Sequence, residues 1–134
     1  MDSLERSRRF WLEGFNTRDE AVVREAIAED YVNDAALPGT PKGPEGQVEV
    51  LRRIWAAFPD ARFEIEHLAR DGDHVICIGT MSGTHSGAFF GVDASDRRIA
   101  WRQCHIVTTD SAGRAIRHRA IRDDLGLIEQ MRGD

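Results

Sequence analysis

The stretch Trp55-Ala56-Ala57-Phe58-Pro59-Asp60-Ala61-Arg62-Phe63-Glu64-Ile65-Glu66 is where the periodicity of this chain changes. Upstream, Val48, Leu51, Trp55 and Phe58 recur at i, i+3, i+7 and i+10, the stripe of an amphipathic helix from about Glu45 to Phe58. Pro59 ends it, because proline disfavours helical backbone in the residue before it. Downstream, Phe63 and Ile65 alternate with Arg62, Glu64 and Glu66, the two-residue period of a strand with one buried face.

The same division holds on either side. Towards the N-terminus, Ser3 can cap a first helix carrying Leu4, Trp11 and Phe15 and ending at Gly14 to Asn16. Asp19 can cap a second, with Val23, Ala26 and Ile27 on one stripe and Glu29-Asp30 at its close. Asn33 to Gly46, with three prolines and three glycines, reads as a loop. Towards the C-terminus, Asp71-Gly72 offers a hairpin turn, followed by strands at Val75–Thr84, Ile99–Thr109 and Ala115–Arg122. A short helix capped by Asp123 or Asp124 closes the chain through Leu125, Leu127, Ile128 and Met131. Helices first and hairpin-linked strands afterwards predict an α+β fold: an antiparallel sheet curved around three N-terminal helices, with a cavity between the layers.

Composition bounds the function. The 134 residues suffice for a single domain spanning 1–134. With 18 Lys+Arg against 23 Asp+Glu, the net charge is −5, which argues against nucleic acid or an anionic membrane surface as partner. No apolar run approaches the ~20 residues of a membrane span, and Met1-Asp2-Ser3-Leu4-Glu5 does not open like an export signal, so the expected location is cytoplasmic. Cys77 and Cys104 form neither a disulfide framework nor a metal motif. Phosphate-loop, dinucleotide, HExxH and GxSxG patterns are absent.

The candidate chemistry lies among the histidines of the strand half. In Ala115–Arg122, Arg117 and Arg119 claim the solvent face, which turns His118 and Ala120 inward. Trp101, Gln103, His105 and Val107 share one face of the preceding strand. A four-residue loop at Asp110–Gly113 makes paired residue numbers sum to 223, setting His105 opposite His118 and Gln103 opposite Ala120. A five-residue loop sums to 224 and puts the histidines on opposite faces. Two facing imidazoles could move protons near neutral pH; equally, they could be core histidines satisfied by backbone or water. No third ligand at metal spacing accompanies them. Asp34 stands at a cavity mouth or caps a turn. Phe15, Tyr31, Trp55 and Trp101 could line an aromatic ligand's pocket or be plain core.

Gly83-Thr84-His85-Ser86-Gly87-Ala88-Phe89-Phe90-Gly91 resembles the GTHxGxFxG stretch of the SnoaL-like polyketide (ester) cyclases. Phe10–Asn16, Asp30-Tyr31-Val32-Asn33, Gly43-Pro44-Glu45-Gly46, Ala57-Phe58-Pro59-Asp60 and Asp123–Leu127 agree in order, so the resemblance spans nearly the whole chain. It implies the cone-shaped nuclear transport factor 2-like fold and a cofactor-free, metal-free enzyme of secondary metabolism. It also implies a lyase- or isomerase-type aldol cyclisation of a polyketide-like small molecule, and a homodimer or homotetramer. The family's polar pocket positions fall on Asn33, Gln103, His105 and His118. Its closing strand typically reads Glu-His-Trp-Asp, whereas this one reads Arg117-His118-Arg119-Ala120, so Ala120 or Arg119 stands where the family's catalytic aspartate belongs. The family's loop histidine falls on Asp34. On this reading His105 and His118 carry the acid/base chemistry with Asp34 in reserve, and Ala120 borders the substrate. Hydroxylation of an aromatic polyketide and non-catalytic binding are the alternatives.

Overall fold

A computed structural model describes Met1–Asp134. Asp2, not Ser3, caps the first helix, accepting from the Glu5 amide at 2.9 Å. This helix, α1 (Ser3–Arg9), continues as a π-helical segment over Phe10–Phe15. Asp19 caps α2 (Glu20–Glu25). The stripe read as the end of that helix is instead a strand, β1 (Ile27–Asn33). The acidic pair Glu29-Asp30 faces solvent while Ile27 and Tyr31 are buried, a pattern too short and too polar to announce itself in the sequence. α3 (Gly43–Ala57) starts two residues earlier than expected, with Pro44 in its first turn, where its missing N–H has no helical partner to lose.

β2 (Arg62–Asp71), β3 (His74–Thr84), β4 (Arg98–Thr109) and β5 (Ala115–Arg122) follow, then α4 (Asp124–Arg132). One five-stranded sheet results, in the order β1-β5-β4-β3-β2. β2 to β5 are antiparallel, but β1 runs parallel to β5, so the sheet is mixed rather than wholly antiparallel. No helix is long and apolar enough to cross a membrane.

The inner face of the sheet meets the helices in a core holding Phe15, Phe58, Phe63, Met81, Leu127 and Met131 at 1% exposure or less. Gly79 in β3 is needed there: a Cβ at this position would lie 2.5 Å from the Phe63 ring. Two unpaired points of strand backbone are satisfied by side chains. Asn16 clamps β2, donating from Nδ2 to the Phe63 carbonyl (3.0 Å) and accepting the Phe63 amide at Oδ1 (2.8 Å). Gln130 of α4 does the same for Ala100 of β4, at 2.7 and 2.9 Å.

The β4–β5 hairpin corrects the expected register. Asp110 donates to the Arg114 carbonyl and Gly113 to the Asp110 carbonyl, with Gly113 at φ +79°. This is a tight turn followed by a left-handed residue, so Thr109 pairs with Ala115. A bulge at Ile116 then shifts the ladder: Thr108 pairs with Arg117, Val107 with His118, His105 with Ala120 and Gln103 with Arg122. Paired numbers sum to 224 beside the turn and to 225 beyond the bulge, not to 223. The histidines are diagonal neighbours, not directly opposed, yet the bulge restores the parity that puts both on the inner face.

Candidate active site

A cavity lies between sheet and helices. On the sheet side it is lined by Trp101, Gln103, His105 and His118, and on the helix side by Trp11, Phe15, Leu51 and Ile54. Tyr31 and Asn33 of β1 and Gln47 of α3 complete the polar wall.

His105 Nδ1 lies 2.8 Å from His118 Nε2, the rings nearly parallel with centroids 5.0 Å apart. The chain of contacts continues at both ends. Gln103 Oε1 is 2.6 Å from His105 Nε2, and Asn33 Oδ1 is 2.7 Å from His118 Nδ1. Asn33 is itself oriented, because its Oδ1 accepts the Ala35 amide (2.9 Å) and its Nδ2 donates to Gln47 Oε1 (3.2 Å). Tyr31 donates its hydroxyl to the same Gln47 oxygen at 2.8 Å.

Counting hydrogens along this chain leaves it two protonation states. Asn33 offers an acceptor, so His118 Nδ1 carries a hydrogen. In the neutral pair His118 Nε2 then accepts from His105 Nδ1–H, and His105 Nε2 is bare. A bare Nε2 requires the Gln103 amide to present its NH2. With the Gln103 oxygen facing the ring, His105 holds hydrogens on both nitrogens and the pair is cationic. One proton and a half-turn of Gln103 separate the two states.

Electrostatics favours the neutral state at rest. Removal from water is the main cause pushing the His105 imidazole well below its ordinary pKa, with His118 and the Arg122 guanidinium adding to it. The same removal from water, with Arg122 again, brings His118 down to about 4, against a small opposing pull from Asp34. Burial likewise keeps the Tyr31 hydroxyl protonated. Arg122 lies over the Trp101 ring at 5.3 Å and is held by Asp124 at 3.2 Å, and Trp101 Nε1 donates to the same carboxylate at 3.1 Å. Trp11 holds His105 from the helix side, its ring 4.7 Å away and stacked on Phe63 at 3.9 Å. Trp11 sits in the π-helical segment; such segments recur at functional sites.

Other residues singled out by sequence fall elsewhere. Asp34 is on the outer side, bound to Arg117 at 2.7 Å, so it does not reach the cavity. Trp55 belongs to the core, with Arg18 over its ring, and does not line the cavity. Ala120 faces inward opposite His105 but is not part of the cavity wall. Asn33, a polar pocket position by the family resemblance, is committed to His118, Ala35 and Gln47. Gln47 was missed, though it shares the α3 stripe with Leu51 and Ile54, where a polar residue signals a buried partner. His85, fully buried, is a clasp: its Nδ1 meets Ser95 Oγ at 2.9 Å, and its carbonyl accepts the Ser95 and Asp96 amides. No cluster of three His, Cys, Asp or Glu side chains is placed to hold a metal ion.

A curved sheet wrapped round helices, with a polar chain sunk in an aromatic cavity, defines an α+β cone with an internal pocket. The model of the SnoaL-like polyketide cyclases matches residues 5–131, and the chain belongs to that family. It is 30% identical to the nogalonic acid methyl ester cyclase of Streptomyces nogalater over 119 residues, covering 87% of this chain and 88% of that protein. Against the aklanonic acid methyl ester cyclase DauD of Streptomyces sp. (strain C5) the identity is 29% over 123 residues, 90% and 76% of the two chains. The structure of TsrD from Streptomyces laurentii superposes with a TM-score of 0.87 at 25% identity, covering 96% of this chain and 94% of that one. The fold is the nuclear transport factor 2-like cone.

Proposed function

We propose that this chain is a polyketide cyclase that closes a ring by intramolecular aldol addition without a cofactor. The observation that carries this reading is the hydrogen-bonded imidazole pair, oriented at both ends, inside an aromatic cavity. The cyclase relatives share most of the chain's length with it.

His105 Nε2 is the base. At neutral pH both imidazoles are proton-free on one nitrogen, which is the form that accepts a proton. Gln103 covers Nε2, so substrate must first displace its amide. A C–H between two carbonyls then gives its proton to Nε2, and the pair becomes a cation whose His118 Nδ1–H is held by Asn33. The displaced Gln103 NH2 is free to donate to the enolate oxygen, whose negative charge offsets the imidazolium in a medium of low dielectric. The enolate carbon attacks an internal ketone or aldehyde, a C–C bond forms, and the alkoxide recovers the proton from His105. No atom is gained or lost.

The test is turnover of a β-dicarbonyl polyketide ester, followed by mass spectrometry. The expected product has the substrate's mass; one added oxygen would support the hydroxylase reading, and binding without turnover a non-catalytic module. His105→Ala is expected to lower kcat by about 10²-fold to 10⁴-fold with far-UV circular dichroism unchanged, and normal kcat in this variant rejects the assignment.

A homodimer, or a homotetramer built from it, is part of the same reading. The outer sheet face aligns Ile76 with Ile106 and Cys104 with both Ile78 and Ile121, the last 71% exposed.

A further inference from the structure

Only two ionised side chains line the cavity, Arg6 and Arg122, and no aspartate or glutamate does. They differ in one respect. Arg122 has a carboxylate partner, Asp124, which takes both its Nε and Nη2. Arg6 has none: its Nε donates to the Ala112 carbonyl (3.0 Å) and its Nη1 to the Glu25 carbonyl (3.3 Å). Its neighbours on the same helix are paired, Arg8 with Glu5 and Arg9 with Glu13 and Glu25. Two backbone carbonyls thus hold the Arg6 guanidinium at the cavity wall, with no carboxylate in contact with it.

We infer that Arg6 is a carboxylate anchor, and that the cavity takes an aromatic polyketide bearing a free carboxylate at the end remote from the reacting carbon. The carbonyls already use two of the five guanidinium donors and hold the group in place, which prepares the remainder for an oxygen anion. Arg6 lies at the β4–β5 turn end of the cavity, beside Gly113 and Ala115. His118 is three residues along β5 from Ala115, about 10 Å at most, because the Ile116 bulge shortens the rise. A rigid ring system of about that length can set its carboxylate on Arg6 while an activated C–H meets His105. A methyl ester at the anchored end would leave the guanidinium charge unpaired.

This inference deepens the cyclase reading and rests on it for the polyketide scaffold, but its test reads binding alone. The probes are anthraquinone-2-carboxylate and its methyl ester, titrated into the wild-type protein with tryptophan fluorescence as readout. The acid is expected to bind about tenfold tighter or more than the ester, and its affinity to fall with added sodium chloride. Arg6→Met should bring the acid-to-ester ratio to about one, and Arg6→Lys should keep part of the preference. Because the ratio is taken within one variant, loss of the Ala112 and Glu25 contacts cancels from it. Equal affinities in the wild type, a ratio unmoved by Arg6→Met, or a ratio abolished by Arg122→Met instead would overturn the inference. Binding of the probes by a wild-type protein that turns over no β-dicarbonyl polyketide ester would sink the cyclase reading without touching this ratio.

Discussion

At the scale of single residues, the site is defined by which hydrogen-bonding groups are already spoken for. Asn33 has its oxygen and one N–H engaged, and both nitrogens of His118 are in contacts, so neither is free to meet substrate first. Gln103 is different, because its only partner is His105 Nε2. Gln103→Leu is therefore expected to leave the imidazole pair in place while removing the donor for the enolate oxygen. Steady-state kinetics should show kcat falling by about 10²-fold to 10³-fold, the loss typical of a missing oxyanion donor. The face on which His118 points was legible from Arg117 and Arg119, because a strand cannot bury both sides of that alternation. The fate of Asp34 was not, since nothing in the sequence says that Arg117 reaches it.

Among the elements, the π-helical segment and β2 act together. Asn16, at the end of the segment, satisfies the Phe63 N–H and C=O, and Phe63 in turn supports Trp11 against His105. Asn16→Ala leaves two part-buried backbone groups without partners and is expected to cost about 1–3 kcal/mol, measured by urea unfolding. The change from helical to strand periodicity at Phe58–Phe63 was readable because each element repeats its pattern several times. β1 was not, because seven residues with two adjacent acids carry too few repeats, and its strand character comes from pairing with β5. The Ile116 bulge escaped for a related reason: an unpaired residue is a property of two strands and their turn, not of one.

For the whole molecule, burying the imidazole pair links folding to pH. His118 titrates near 4 in the folded chain against an ordinary value of 6.5. Below 6.5 the unfolded chain therefore binds the extra proton and the folded chain resists it. Stability is fully present above about pH 6.5 and declines as pH falls towards 4, on the order of 3 kcal/mol for a shift of this size. His118→Gln, which cannot titrate, should flatten the Tm-against-pH curve over that window; an unchanged slope would count against burial of the pair. Assembly belongs to this scale too. Sedimentation velocity is expected to show a dimer or tetramer, and Ile121→Glu, placing a charge amid the outer apolar face, should shift it towards monomer.

Local sequence was enough to specify the change from helix to strand after Phe58, a cavity between layers and the inward face of His118, because these follow from periodicity and from the cost of burying charge. Only the folded chain decided that the two imidazoles touch and that Gln47 and Asn33 orient them. It also decided that Arg6 is left without a counter-charge. Each of these depends on groups far apart in sequence meeting at a particular distance, and one extra residue at Ile116 is enough to choose which of them meet.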